Sequence, residues 1–305
     1  MWPRPGLLAS NASIAFGFMP DDKLPQQGGI YLVKRLSIEE VFAWTQSFVA
    51  REWRLLIPVV LAFLVFPPLM MDLLVPQQVT AGFASAVQTQ NPQAFAAAMR
   101  ILLPIMALVL LIATYGGLTI SAIALVPGIS VREALTLALR RLPIMVGAVL
   151  MVAAAQLVLA TILTVIFAAM HQVGAGAQSM LVGIVMAVSL FATIRLITLA
   201  PMIVTRRVSV TSAIRESWHI SQGAFWRIMA AVMIYAIGAM VVMIALDYAV
   251  GILLTLSAQA VGAAELGRAL TALFQRSVGG ALALGLHLLI AAIFRQLSDA
   301  PIRGI

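Results

Sequence analysis

The sequence has no cysteine, which excludes disulfides and thiolate metal sites and leaves the redox compartment unmarked. Charge is scarce as well. Asp, Glu, Lys and Arg make up 10% of the 305 residues, where soluble domains carry roughly 25%. A water-soluble chain of this length cannot cover its surface with so few charges. The three histidines, His171, His219 and His287, are scattered. None has a second ligand at helical i, i+3 or i+4 spacing, so no metal and no cofactor is expected. Neither a Walker pattern nor a GxGxxG turn after a strand occurs, which removes the usual signs of a phosphate loop.

Hydrophobicity is what the chain has: 62% of residues are apolar, and mean hydropathy is +1.05. About 20 apolar residues cross a bilayer as a helix. Six runs qualify, over 53–75, 101–126, 144–170, 180–204, 228–254 and 269–294. The fold class expected is all-α: a polytopic membrane bundle of six transmembrane helices with short cytosolic interfacial amphipathic helices. Pro58, Pro67, Pro68 and Pro104 fall in or near these runs, and Pro67-Pro68 is expected to distort the first span most. Residues 1–35, punctuated by Pro3, Pro5, Pro20, Pro25, Gly28 and Gly29, read as a disordered cytosolic tail rather than a secretory signal. Met19 is an alternative start within it. The membrane domain is assigned to 36–297 and a second tail to 298–305.

Orientation follows from the 19 basic residues. Only Arg100 and Arg268 lie in loops on one side, and Arg195 and Arg276 fall within spans. All others occupy the N-terminal segment, the second–third and fourth–fifth loops, and the C-terminal end. Short basic loops stay inside, so both termini are expected in the cytosol of a bacterial inner membrane. The net charge of +8 is then topology control and attraction to anionic headgroups. No basic helix with stacking aromatics supports nucleic-acid binding.

The inner segments repeat. Leu36-Ser37-Ile38, Ile129-Ser130-Val131 and Val208-Ser209-Val210 each set a serine between aliphatic residues, and Glu40 and Glu133 complete capping-box patterns in the first two. Apolar residues follow at helical spacing, as in Val41, Phe42, Thr45, Phe48 and Val49, reading as amphipathic helices on the inner interface. Two copies enter a span through Glu52-Trp53-Arg54 and Phe225-Trp226-Arg227, whose indole and guanidinium groups suit the headgroup layer. Trp53, Arg54, Trp218, Trp226 and Arg227 are the expected interfacial anchors. The unit recurs three times in one orientation.

The stretch Arg195, Pro201, Ile203-Val204, Val208-Ser209-Val210, Ala213-Ile214, Ser217-Trp218, Ile220-Ser221, Gly223 and Phe225-Trp226-Arg227 resembles the bacterial membrane domain found fused to some glycerophosphoryl diester phosphodiesterases, and related multi-pass inner-membrane proteins. In fused members of that family the chemistry belongs to a separate soluble barrel. Six spans and short loops leave no room for one here, so the resemblance implies a membrane module and not an enzyme.

Few polar groups lie within the spans. Arg195 is a candidate anion or lipid-phosphate site, because guanidinium binds phosphate in bidentate fashion, with His287, Gln156 and Tyr115 as candidate companions. Snorkelling, or hydrogen bonds to carbonyls and to Tyr115, Gln156 or Thr198, is the bland alternative. Asp247 and Arg276 have matching depths on neighbouring helices and are expected to form a structural ion pair; a relay through Asp247 would need further acids, and only Asp72 and Glu265 are near. Ser277, Ala281 and Gly285 form a small-residue ridge for close helix approach. Expected partners are membrane lipids and other membrane proteins. A non-enzymatic scaffold or lipid-binding module leads, a transporter or flippase-like carrier is the alternative, and a lipid enzyme lacks the converging titratable groups that catalysis requires.

Overall fold

A computed structural model of the chain describes residues 36–89, 91–169, 175–260 and 262–298; the tail expected at 1–35, all but Ser298 of the tail expected at 298–305, and His171 lie outside them. Serine caps start three helices. Ser37 Oγ accepts the Glu40 N–H at 3.3 Å, opening α1 (Ile38–Val60). Ser130 and Glu133 form the full reciprocal box, the Ser130 N–H reaching Glu133 Oε2 at 2.9 Å and the Glu133 N–H reaching Ser130 Oγ at 3.3 Å. At Ser209 the reciprocal partner is Ser212. In each case side-chain oxygens satisfy amide groups that a helix start leaves without partners.

Three of the four expected prolines lie in or beside the first span, and its helix changes register there. After α1 comes a π-helical turn, Leu61–Val65, and then α2 (Phe66–Leu74). Pro67 and Pro68 cannot donate to the carbonyls one turn back and crowd them. Widening the preceding turn by one residue accommodates that loss. Beyond it, α3 (Gln77–Gln88) leads to α4 (Pro92–Leu125). Asn91 caps α4 by accepting the N–H groups of Gln93 and Ala94, both at 3.1 Å, and Pro92 takes the first helical position, where its missing N–H does no harm. Then come α5 (Val131–Ala169), α6 (Ala175–Arg195), α7 (Leu199–Thr205), α8 (Val210–Ile220) and α9 (Phe225–Leu246). A second π-helical turn, Asp247–Gly251, joins α9 to α10 (Ile252–Ala260), and α11 (Ala264–Leu297) completes the described order.

Six helical segments are long and apolar enough to cross a membrane, and no strand occurs among the described residues. This is a multi-pass membrane protein. The interfacial helices differ from expectation in two of three copies. The segments after Ser37 and Ser130 run straight on into their spans, and only α8 is separate, cut from α9 by a turn in which Gly223 takes φ +79°, a left-handed conformation that glycine adopts at no steric cost.

Three helices carry their own rulers. Trp53 to Asp72, Trp226 to Asp247, and Arg276 to Arg295 are each about 28–32 Å apart at 1.5 Å per residue, matching a hydrocarbon core of about 30 Å. Asp72, Asp247 and Arg276 therefore lie at headgroup level on the side away from the basic loops, not deep within the bilayer. The tight core lies towards the other, basic end. Leu56, Leu118, Ile120, Ile194, Ile228, Leu288, Leu289 and Ile293 are all fully buried there. Glycines allow close contacts: Tyr235 Oη lies where a side chain on Gly285 would start, as does the Val65 side chain at Gly280.

Candidate functional site

The residue that sequence placed inside the fourth span sits where that helix ends. α6 stops at Arg195, the chain turns through Leu196–Thr198, and α7 restarts with Pro201 in its first turn. A proline there has no N–H for the Ile197 carbonyl and crowds it, so an unbroken helix is disfavoured. The 21 residues of α6 cover about 31 Å, a full membrane crossing on their own. Arg195 thus lies at the level of the α9 start rather than one-half of a span deeper. The broken turn frees the Arg195 carbonyl, which accepts from Ser221 Oγ at 3.0 Å and Ser217 Oγ at 3.4 Å, while Ser217 and Thr198 share a buried hydrogen bond of 3.0 Å. Helix α8 is bolted to the break by these hydroxyls.

That bolt brings three rings to the guanidinium. The Arg195 Cζ lies 5.3 Å from the centroids of Phe191 and Trp218 and 5.5 Å from that of Phe225. Cation–π contact at such distances contributes about 0.5–2 kcal/mol each, more when water is excluded. Rings accept no ordinary hydrogen bond, however. Among the described residues, Arg195 Nε and Nη1 are buried with no hydrogen-bond partner. Beside them opens a cleft of ≈ 600 Å³, lined by Arg195, Phe191, Gly223, Phe225, Trp226 and Met229 among others. One end of this cleft is cationic and caged, and the rest is aromatic and aliphatic.

The candidate companions of Arg195 are elsewhere. Tyr115 Oη donates to the Leu135 carbonyl at 3.0 Å, with its ring edge-on to Phe63. His287 packs over Gly117, where an added Cβ would meet its imidazole at 2.6 Å. Gln156 is half-buried in α5. Phe191 was missed, although it stands four residues before Arg195, the spacing that stacks side chains on one helical face. Trp218, expected as an anchor, also forms one of the three rings around Arg195. Trp53, Arg54, Trp226 and Arg227 are exposed, and Arg54 lies over the Trp53 ring at 5.5 Å.

The expected pairing of Asp247 with Arg276 is not the one formed. Arg276 binds Asp72 in a bidentate fork, Nε to Oδ2 at 2.5 Å and Nη2 to Oδ1 at 2.6 Å, because α11 packs along the first span and presents Arg276 to its end. Asp247 accepts instead from Gln275 Nε2 at 2.5 Å. Among the described residues no group of three or more His, Cys, Asp and Glu is placed to hold a metal.

Residues 176–297 match the membrane domain of glycerophosphoryl diester phosphodiesterase. The resemblance read from the Arg195–Arg227 stretch thus extends over the last three spans, taking in the whole Arg195 cage, Asp247, Gln275 and Arg276. Asp72 and the first three spans lie before the matched segment. Comparison with curated proteins and with solved structures gave no match. The matched domain is by its description the membrane part of a phosphodiesterase.

Proposed function

We propose that this chain is a non-enzymatic module of the bacterial inner membrane, with both termini in the cytosol, that binds a phosphate-bearing lipid of the inner leaflet at Arg195. One observation carries the reading: a guanidinium caged by three rings, with two nitrogen atoms lacking acceptors, borders an open apolar cleft. A buried charged donor without a partner costs on the order of 1–3 kcal/mol or more. A phosphate entering the cleft supplies the missing acceptors, and the wall formed by Leu190, Phe225 and Met229 suits an acyl chain. The exposed Trp226 at the rim fits the headgroup layer, and the basic loops around it favour anionic lipid.

A catalytic reading has less behind it. Asp72, Asp247 and Glu265 belong to the end of the bundle opposite Arg195, His287 packs in the core over Gly117, and on α8 Glu216 is committed to Arg206, so general acid–base catalysis lacks a set of groups converging on the anion site. A carrier reading is also weaker. Between the two ends α9 presents Met233, Ile237 and Met240 to its surroundings, all exposed and apolar, which gives a headgroup no polar track.

The test is native mass spectrometry from nanodiscs containing phosphatidylglycerol and phosphatidylcholine in equal amounts. Wild type should retain phosphatidylglycerol preferentially. Arg195→Leu should abolish that preference, and Arg195→Lys, which keeps the charge but loses the planar fork, should recover only part of it. Equal retention by wild type and Arg195→Leu would sink the reading.

A further inference from the structure

A second cavity lies at the far end of the bundle, between the first, fifth and sixth spans. Its volume is ≈ 530 Å³, and it is lined by Leu64, Pro68, Met243, Ile244, Asp247, Gln275, Arg276, Gly279 and Gly280. Both π-helical turns form its walls: Leu64 belongs to the first, and Asp247 opens the second. Such turns re-aim side chains and often mark functional sites. Asp247 Oδ1 folds back over Gly251, where an added Cβ would come within 2.9 Å of it. Gly251 leaves the carboxylate the room to do so.

Charge in this cavity does not balance. Among the described residues the one guanidinium lining it, that of Arg276, is committed to Asp72 through two hydrogen bonds. Asp247 is held by Gln275, a neutral amide, and joins none of the ion pairs among the described residues. With both aspartates ionised, the site carries one negative charge that the protein does not offset. An ionised group at a membrane boundary is retained where a counter-charge arrives.

The lining also selects the kind of cation. Carboxylate and amide oxygens accept hydrogen bonds, as a primary ammonium with three N–H donors requires. A quaternary ammonium has none and is held by aromatic cages; among the described residues no aromatic ring lines this cavity. Height selects the source. Asp247 lies about 31 Å from the inner-interface Trp226, at headgroup level, with Tyr248 69% exposed beside it in the position of an interfacial aromatic. Ile244, 46% exposed, leaves the cavity mouth open towards the lipid. We infer that this cavity is a headgroup site for a primary-amine phospholipid of the outer leaflet, its ammonium held by Asp247 and Gln275. The site is independent of the Arg195 cleft.

The experiment uses the full chain in nanodiscs of phosphatidylethanolamine and phosphatidylcholine in equal amounts, with retained lipid read by native mass spectrometry. Both lipids carry the same phosphate, so their ratio reads this cavity and not Arg195. Wild type should enrich phosphatidylethanolamine about tenfold, the worth of one charge-assisted hydrogen-bonded contact. Asp247→Asn should bring the ratio near one. Gly279→Leu does the same by filling space, since no heavy atom lies within 4 Å of the Gly279 Cβ position and the new side chain grows into the cavity without displacing backbone. Each variant is checked by its melting temperature, and Gly279→Leu decides the matter if Asp247→Asn does not fold. A wild-type ratio of one, or an unchanged ratio in a folded variant, overturns the site. Binding of soluble ethanolammonium by a wild type that shows no lipid enrichment would overturn the lipid source in favour of a free amine.

Discussion

Arg276 is bonded to a residue 204 positions away and not to the aspartate on the neighbouring helix. That Asp247 and Arg276 share one level was legible in the sequence, although the apolar runs placed both inside their spans and not at the headgroup level the helix lengths give them. Which of two acids would meet the arginine depended on whether α11 leans towards the first or the fifth span, and apolar runs of similar composition carry no such address. The Asp72–Arg276 fork is partly exposed, 32% and 43% by side chain, so its coupling should be on the order of 1 kcal/mol. Asp72→Leu and Arg276→Leu should each lower the melting temperature, and the double variant should regain part of the loss. Asp247→Leu combined with Arg276→Leu should show no such recovery. Thermal unfolding in detergent measures all of these.

At the scale of elements, breakers and caps explain most of what departs from a plain rod. Pro67-Pro68 announced the first π-helical turn; Pro201 explains the break after Arg195 and Asn91-Pro92 the start of α4, though hydropathy shows an unbroken fourth run and a plain loop before the second. The turn at Asp247 has no such herald, because neither proline nor a glycine pair precedes it. Helix α8 was legible as an amphipathic segment, yet its attachment was not: Ser217 and Ser221 look like ordinary polar positions until the Arg195 carbonyl is freed to receive them. Ser217→Ala and Ser221→Ala should each weaken that attachment by about 1 kcal/mol. Faster amide hydrogen exchange confined to residues 210–220 is the expected result, together with partial loss of the phosphatidylglycerol preference as Trp218 leaves the cage. Protection equal to wild type in both variants would mean the hydroxyls do not hold the helix.

For the whole molecule, hydropathy alone located six crossings, and the distribution of arginine predicts their direction. Reporter tags near positions 90, 175 and 260 should read as periplasmic, and tags near 128 and 222 as cytosolic; the reverse pattern would invert the assignment of inner and outer sites. The packing that makes six helices one body could not be read, because apolar spans are interchangeable until small residues such as Gly117, Gly280 and Gly285 are seen under their neighbours. One contact has a consequence for biogenesis. The Ser37 N–H donates to Gln296 Oε1 at 3.0 Å, and Gln296 Nε2 reaches Glu40 at 3.1 Å. Glu40 does not turn back to complete its own capping box, so the first helix relies for that bond on a side chain synthesised 259 residues later. During translation its start waits unlatched through every intervening crossing. The start of the first helix is fastened only once α11 has been made.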